Sequence, residues 1–387
     1  MTSNLVVWGA CVAAGVLLDA REASACGGGG VTTTTSALGV VANTQRIFMS
    51  VRKSGKTDIV VQIGVPATTA DYGVLIPVPD EPELDASVVT AGAFDALDAR
   101  TAPKITAVTE TGEDDGSGWS CGCTGAEAAS DGKGVGDGNA PGVTVGAPQN
   151  IGPVTAVVLT GDDGAAVDGW LDENGFALPD ESRPVLDEYA GPGKYFIAIK
   201  RNSSAADGAP SSIGLHYTLP GDHRDLSLRF ARIGAAQKVA FTIFLAVPGQ
   251  VMGPSAPFAA LTLDDLRGDL LRAGDYSGAV ATAVGQNRDL AFVLEASSRF
   301  AELAQPFSLY AEPDALVTRL STVVSSANLS ADVNFGTPFA ESIPNERYVY
   351  AEPKPPVVRY ASIGWIAATL LGGALRRRLR PRNRRAL

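Results

Sequence analysis

The sequence predicts an α+β fold with a strand-rich body and interspersed helices. Runs of Val, Ile and aromatic residues recur at strand length along the chain, whereas segments with helical spacing are fewer. These segments show no regular strand–helix–strand alternation, which a parallel α/β sheet would require. No internal repeat of fixed period is visible either.

The composition is that of a folded protein with an acidic body. Of 387 residues, 45% are hydrophobic and four are Cys, and the formal net charge is -11. The apolar content excludes a disordered chain and a polytopic membrane protein, and four Cys exclude a disulfide-dense miniprotein. Because eight Arg lie after residue 358, the preceding body is more acidic still. This charge excludes nucleic acid as a partner.

Residues 1–25 are predicted to form a secretory signal peptide. The apolar run at 5–18 is shorter than the ~20 residues of a membrane-spanning helix. Ala23-Ser24-Ala25 then has the small-x-small pattern of a signal-peptidase site, and Cys26 becomes the first mature residue. No Lys or Arg precedes the apolar run, which departs from the usual pattern. Lipidation of Cys26 is the alternative, but Ala23 stands where a lipobox has Leu.

Residues 359–387 are predicted to form a transmembrane helix and a cytoplasmic tail. The stretch 360–375 is apolar and uncharged, and as a helix residues 361–375 span roughly 22 Å. A cluster of Arg follows, and the positive-inside rule keeps it cytoplasmic. The predicted partner of this segment is membrane lipid. The predicted anchor residues are the interfacial Trp365 and the basic Arg376, Arg377, Arg378 and Arg380.

Residues 26–358 are predicted to form one extracytoplasmic body that begins with a flexible glycine–threonine lead-in at 27–35. Two β-branched runs, 46–52 and 57–65, flank a short polar turn and therefore predict a hairpin. The other elements predicted up to residue 142 are a strand at Tyr72–Val78, a helix from a cap at Asp85-Ala86-Ser87 to Arg100, and an acidic, Gly-rich surface loop at 110–142.

The second half of the body is predicted to contain further strands and short helices. The strands predicted from apolar or alternating runs are 154–159, 195–201, 226–230, 238–247 and 290–296. The helices predicted from caps and helical spacing follow Asp162 or Asp163, lie near 184–190, follow Thr262, and start at Pro313. In the last of these, Leu316, Leu320 and Val324 share one helical face.

Several short segments of the body carry a family resemblance. They are 25–28 (ACGG), 71–79 (DYGVLIPVP) followed by Asp85-Ala86-Ser87, 154–159 (VTAVVL), 170–176 (WLDENGF) and 194–198 (KYFIA). Together they resemble the bacterial family catalogued as domain of unknown function 2330. The resemblance implies an exported envelope protein and supplies no catalytic residues. The C-terminal helix with its Arg cluster is similar to myxobacterial-type sorting tails, but it lacks their preceding Cys, which favours a plain anchor.

One serine motif and two histidines are the candidates for catalysis. Gly118-Trp119-Ser120-Cys121-Gly122 matches the hydrolase pattern G-x-S-x-G, which requires a strand–turn–helix elbow. Glycines and acids surround Ser120 instead, so a chance match is favoured. The base would have to be His216, in a predicted strand, or His223, in a predicted turn. We therefore predict no catalytic residue, with a secreted serine or thiol hydrolase that uses Ser120 or a cysteine as the alternative.

No metal or cofactor site is predicted. Cys121-Gly122-Cys123 without a nearby His does not supply the four ligands of a zinc site. The acids of the 110–142 loop do not follow the spacing of a calcium-binding loop. No phosphate-binding glycine motif matches at full spacing.

The exported chain contains three Cys: Cys26, Cys121 and Cys123. In an oxidising compartment at least two are expected to pair. A bond from Cys26 to Cys121 or to Cys123 would tie the mature N-terminus to the acidic loop, whereas a Cys121–Cys123 bond would be strained. Each pairing leaves one thiol over.

These observations predict a non-enzymatic protein of the cell envelope with a binding or structural role. The body is expected in the periplasm or on the surface, held by the single C-terminal helix. A protein or an envelope polymer is the expected class of partner besides membrane lipid.

Overall fold

The computed structural model describes residues 29–33, 44–64, 72–108, 141–201, 212–233, 238–299, 306–339 and 342–350. All of these except Val108 and Tyr350 belong to one compact unit. The predicted signal peptide at 1–25, residues 110–140 of the predicted loop and the predicted C-terminal segment at 359–387 lie outside the described residues. Within the described ranges, no helix is long and apolar enough to cross a membrane.

Strands make up most of the regular structure. In chain order they are β1 Gly29–Thr33, β2 Thr44–Val51, β3 Lys56–Gly64, β4 Tyr72–Val78, β5 Glu83–Leu84, β6 Val89–Thr90, β7 Lys104–Val108, β8 Val143–Val145, β9 Gln149–Ile151, β10 Val154–Gly161, β11 Phe176–Ala177, β12 Tyr195–Arg201, β13 Ser212–Pro220, β14 Asp225–Leu226, β15 Lys238–Pro248, β16 Val251–Gly253, β17 Ala259–Thr262, β18 Ala291–Arg299, β19 Ala315–Ser325, β20 Val333–Asn334, β21 Thr337–Phe339 and β22 Glu346–Tyr350.

The α-helices among the described residues are short and lie between the strands. They are α1 Ala91–Thr101, α2 Gly164–Glu173, α3 Arg183–Tyr189, α4 Gly268–Arg272, α5 Tyr276–Gln286 and α6 Phe307–Tyr310. Together with the strands, these helices confirm the predicted α+β class.

Two large sheets organise the body. One has seven strands in the order β11-β1-β4-β12-β10-β8, with β9 paired to β10. The other has nine strands in the order β17-β18-β19-β15-β2-β3-β13-β5, with β6 paired to β13. Neighbouring strands in both sheets are antiparallel except for the parallel pairs β15–β2 and β17–β18.

The two sheets pack face to face around the largest apolar core, and each buries its other face under helices. Alternate residues of β2, β3, β4, β12, β13 and β15 point into the core between the sheets. Trp170 and Leu171 of α2 and Leu186 of α3 cover the outer face of the seven-stranded sheet. Phe94 of α1 and Phe307 of α6 cover the outer face of the nine-stranded sheet.

Most sequence-predicted elements of the body are confirmed. β2 and β3 form the predicted hairpin, β4 and β12 have their predicted bounds, and β15 lies in the interior of its sheet. Helix α2 begins as predicted, because the Asp163 carboxylate accepts a hydrogen bond from the amide of Ala166 at 2.8 Å. Gly175 follows α2 with a φ of 83°, as expected for a glycine that ends a helix.

The helix predicted from Pro313 is wrong, because residues 315–325 form the long strand β19. Leu316, Leu320 and Val324 are four residues apart, and this spacing fits one face of a strand as well as one face of a helix. Both faces of β19 are covered, so polar alternation does not reveal its period: Leu320 and Val324 belong to the core between the sheets and Val317 to the opposite core.

Two more predictions in the first hundred residues need correction. The lead-in at 27–35 contains strand β1, which pairs with β4 and β11. Asp85 does not cap α1, since the short strand β6 intervenes and Thr90 occupies the cap position. The Asp85 carboxylate instead accepts hydrogen bonds from the amide and hydroxyl of Ser87 at 2.8 Å and 2.6 Å, which is a local turn.

Two predictions in the second half are also corrected. The strand predicted at 226–230 ends at Leu226, and a 3₁₀ turn follows at Arg229–Arg232. The apolar residues of this segment alternate because they enter two different cores. Leu228 packs into the core between the sheets, and Phe230 packs against α2 and α3. Thr262 does form a capping box, but the turn it caps is the 3₁₀ segment Leu263–Asp265, and α4 follows separately.

Candidate functional site

An apolar cavity of about 290 Å³ lies between the two sheets. It is partly open to solvent, since its lining includes the exposed Lys194. The residues whose apolar side chains form its walls are Ile47, Met49, Ile59, Val61, Ile76, Pro77, Val78, Pro79, Leu219 and Leu226. The walls thus come from strands of both sheets.

Strand alternation explains why these side chains meet. In the nine-stranded sheet, Ile47 pairs with Val61 and Met49 with Ile59, so four branched or long apolar side chains form one continuous patch. Ile76 and Val78 of β4 face this patch from the seven-stranded sheet. All six side chains are at most 5% exposed.

The lining also contains polar residues. They are Tyr189 at the end of α3, Lys194 just before β12, Asp225 in β14 and Ser227 just after it. The Tyr189 hydroxyl donates to the carboxylate of Asp332 at 2.6–2.7 Å, and the Lys194 ammonium donates to the carbonyl of Glu188 at 2.8 Å. Burial and the Asp332 hydrogen bond raise the pKa of Tyr189, so its hydroxyl stays a donor.

Tyr217 of β13 is the buried polar residue of the apolar wall. Its side chain is 4% exposed, and it lies on the same face of the strand as Leu215 and Leu219. Burial alone raises the pKa of its hydroxyl. Tyr217 is not among the residues predicted from the sequence, although the alternation Leu215, Tyr217, Leu219 places it on an apolar face.

His216 points to the opposite face of the same strand, away from the cavity. Its Nδ1 lies 3.0 Å from a carboxylate oxygen of Asp85, and its Nε2 lies 3.0 Å from one of Asp58. The ring stacks on Tyr310, with centroids 4.0 Å apart. A neutral imidazole can donate to one carboxylate only, whereas the protonated ring donates to both.

The two carboxylates beside His216 are held in the charged form. Burial alone would raise the pKa of Asp58, but hydrogen bonds from His216 and Thr218 and the charge of Arg52 outweigh it, so the pKa is lowered. The pKa of Asp85 is lowered as well, since hydrogen bonds from Ser87 and His216 outweigh its partial burial. These contacts anchor β5 and the following turn to the sheet.

The sequence-predicted catalytic candidates do not come together in the part of the chain that is described. Ser120 lies outside it, and both ring nitrogens of His216 are taken up by carboxylates. His223 lies in a turn as predicted, where its Nε2 is within 3.0 Å of an Asp80 carboxylate oxygen and 2.6 Å of the Pro220 carbonyl oxygen. The hydrolase alternative therefore gains no support from these positions.

The remaining predicted site residues lie outside the described ranges. These are the disulfide candidates Cys26, Cys121 and Cys123 and the anchor residues Trp365, Arg376, Arg377, Arg378 and Arg380. Among the residues that are described, no group of three or more His, Cys, Asp or Glu side chains is arranged to hold a metal ion.

A family model described as "Uncharacterized protein conserved in bacteria (DUF2330)" matches residues 22–236, more than half of the chain. The chain belongs to this family. The DUF2330 match contains the entire seven-stranded sheet and every residue that lines the cavity. The cavity is thus built from the DUF2330 region, whereas β15, β17, β18 and β19 of the nine-stranded sheet follow it in the chain.

Comparisons with other known proteins add little to the DUF2330 match. No curated protein matches the chain. The crystal structure of baculovirus P35 is similar over 76% of this chain and 96% of its own, at 9% sequence identity and a TM-score of 0.32. A mutated baculovirus P35 after caspase cleavage is similar over 76% and 98%, at 6% identity and the same TM-score. Similarity this weak says nothing about function.

Proposed function

We propose that this chain is an exported protein of the bacterial cell envelope that binds a small apolar molecule between its two sheets. The observation that carries the proposal is the cavity of about 290 Å³ with apolar walls. Pockets for small molecules are mostly apolar, with a few polar groups that fix the orientation of the ligand. The walls and the polar lining around Tyr189 and Lys194 match that description.

The size of the cavity limits the ligand. At the ~30 Å³ that a water molecule occupies in the liquid, the cavity has room for about ten non-hydrogen atoms. Apolar cavities of about half this volume already bind molecules such as benzene. A compact hydrocarbon-rich compound, or the end of a longer chain that enters past Lys194, fits this space.

The assignment to the envelope rests on the sequence. Residues 1–25 have the pattern of a signal peptide, and residues 359–387 that of a short membrane anchor with a basic tail. In this proposal the C-terminal helix contacts membrane lipid and holds the ligand-binding body outside the inner membrane. A protein or an envelope polymer could then receive or supply the ligand.

Binding is proposed rather than catalysis because of what lines the cavity. A hydrolase needs a nucleophile within reach of a base, and a third group to orient that base. The lining residues contain no His or Cys, and Ser227 is their only alcohol besides the two tyrosines. The charged residues of the lining, Lys194 and Asp225, are already hydrogen-bonded, Lys194 to the Glu188 carbonyl and Asp225 to the Asn334 side-chain amide. Such a wall is suited to retaining and orienting a ligand.

A titration with naphthalene, an uncharged apolar molecule of ten carbon atoms, tests the proposal. Naphthalene is expected to bind the full chain with one-site stoichiometry in equilibrium dialysis. Val61→Phe places a larger side chain on the cavity wall and is expected to weaken naphthalene binding at least tenfold. Val88→Phe is the matched control, because Val88 is 43% exposed and does not line the cavity. Equal affinities for the two variants, or no saturable binding, would contradict the proposed function.

A further inference from the structure

The wall of the cavity contains the hydroxyl of Tyr217, a residue that is 4% exposed. Two other tyrosines donate their hydroxyls to carboxylates: Tyr276 to Glu295 at 2.6 Å and Tyr189 to Asp332. For Tyr217, the described residues provide no such acceptor, so its hydroxyl is left to bond to a molecule in the cavity. Native proteins leave few polar groups of largely buried residues without a partner, and a bound molecule would supply one here.

The chemistry around Tyr217 indicates what kind of partner is missing. Its neighbours on the wall are the apolar Ile59, Val61 and Leu219. A charged ligand group placed among them would lose its hydration without gaining an ionic partner, which is costly. The cation on the lining, Lys194, already donates to the Glu188 carbonyl. A neutral oxygen on the ligand avoids this cost and accepts the hydrogen bond.

We propose that Tyr217 is the recognition group of the cavity and donates a hydrogen bond to a neutral carbonyl or ester oxygen of an otherwise apolar ligand. This inference rests on the proposed binding function and narrows the ligand class from hydrocarbons to ketones, aldehydes and esters. Tyr217 stays protonated because burial disfavours its phenolate, so it acts as a donor across the physiological pH range.

The test compares two probes with the same number of non-hydrogen atoms, 2-octanone and n-nonane. Their affinities are measured by displacement of naphthalene from the full chain and from Tyr217→Phe, which removes only the hydroxyl. Loss of one hydrogen bond to a neutral acceptor is expected to weaken 2-octanone about fivefold to tenfold. Binding of n-nonane is expected to stay the same or to improve. Tyr348→Phe is the control variant, since Tyr348 is 58% exposed and does not line the cavity.

Equal effects of Tyr217→Phe on both probes would overturn the inference and leave the binding function in place. Failure of the unmodified protein to bind naphthalene would instead remove the proposed function itself. Octanoate provides a third arm: binding tighter than that of 2-octanone, lost in Lys194→Gln but kept in Tyr217→Phe, would show an anionic ligand class and overturn the inference.

A second measurement needs no variant and covers the case in which Tyr217→Phe does not fold. The infrared stretch of the carbonyl of ¹³C-labelled 2-octanone is recorded with the ketone bound to the unmodified protein. A hydrogen bond from Tyr217 is expected to move the band below its position in hexane. A bound ketone whose band stays at the hexane position would overturn the inference.

Discussion

Arg319 of β19 donates from its Nε to the carboxylate of Glu295, an acid whose side chain is 1% exposed. Glu295 lies where the register between β18 and β19 shifts, so a β-bulge turns this acid toward the arginine. Arg319 also contacts Asp98 of α1, and its guanidinium lies over the ring of Phe244. Helix α1 is therefore joined to the nine-stranded sheet by buried charges as well as by apolar packing.

Removal of Arg319 is expected to destabilise the body strongly. Arg319→Met would leave the Glu295 carboxylate buried without a cation, and breaking a buried ion pair from one side costs about 3–5 kcal/mol. The free energy of unfolding, from urea denaturation at pH 7, measures the effect. Arg267→Met is the control, because Arg267 and its partner Asp269 are both more than half exposed. A loss no larger than that of the control would show that the buried pair contributes nothing.

The lowered pKa of Asp58 predicts how the stability of the folded protein depends on pH. Because its pKa is lowered in the folded state, its contribution to stability is present above the ordinary pKa near ~4 and is lost as the pH falls through the folded-state value. Asp58→Asn removes the charge that His216, Thr218 and Arg52 contact. We expect the variant to be about 2–3 kcal/mol less stable than the natural chain at pH 7. The difference in free energy of unfolding between the natural chain and Asp58→Asn should become smaller from pH 5 to pH 3.

Urea denaturation of both proteins at pH 7, 5 and 3 checks this expectation. Asp314→Asn serves as the matched control, since Asp314 forms an exposed ion pair with Lys53. A stability difference for Asp58→Asn that is constant from pH 7 to pH 3 would rule out the charged Asp58 as its origin.

The cysteines carry a separate prediction. In the exported protein, Cys26 is expected to form a disulfide with Cys121 or Cys123, because three thiols share an oxidising compartment. Mass mapping of non-reduced peptides should show a peptide around residue 26 linked to one from the 110–142 loop. The same digest after reduction and alkylation is the control. Three alkylated, unlinked thiols in the non-reduced sample would contradict the prediction.

The membrane topology can be tested on cells. The body is expected on the outer side of the inner membrane and the tail on the cytoplasmic side, because the Arg cluster follows the apolar stretch. Neutral residues at Arg376, Arg377, Arg378 and Arg380 should release or invert the anchor, since each basic residue near an anionic leaflet contributes ~1 kcal/mol. Protease added to spheroplasts should digest the body and spare an epitope at the C-terminus.

Two results would contradict this topology. If added protease removes the C-terminal epitope while the body stays protected, the orientation is reversed. If a salt wash alone releases the intact protein, there is no membrane span. A cytoplasmic marker protein that remains undigested is the control for intact membranes.

Local patterns predicted most single strands of this fold and the β2–β3 hairpin, but not the pairing of strands that are far apart in the sequence. The runs of β4, β12 and β15 are continuous apolar segments, so their bounds follow from the residues themselves. In β19 the four-residue spacing of Leu316, Leu320 and Val324 fits both a helix and a strand. Only the pairing of this segment with β15 and β18 decides between the two. Tertiary pairing therefore overrides local spacing where both faces of an element are buried.

Local sequence patterns also fail to reveal the cavity. Ile47, Val61, Ile76 and Tyr217 come from four strands, and each appears in its own strand as an ordinary core residue. Their importance arises from the space left between two sheets, which no local motif encodes. Sequence patterns direct attention to Ser120 and the histidines because catalytic motifs are local, whereas a ligand cavity made of apolar side chains has no such signature.

The parallel pairing of β2 with β15 limits when the protein can fold. Ser50 is the partner of Ala246, almost 200 residues later, and β15 in turn needs β19 at residues 315–325. At a synthesis rate of ~5–20 residues per second, β15, the second neighbour of β2, is made about 10–40 s after β2. During that interval the nine-stranded sheet lacks its interior strands β15 and β19. Pairing between strands that are far apart in the sequence is also slow in itself. The nine-stranded sheet therefore cannot be completed until residues 315–325 have been made, close to the end of synthesis.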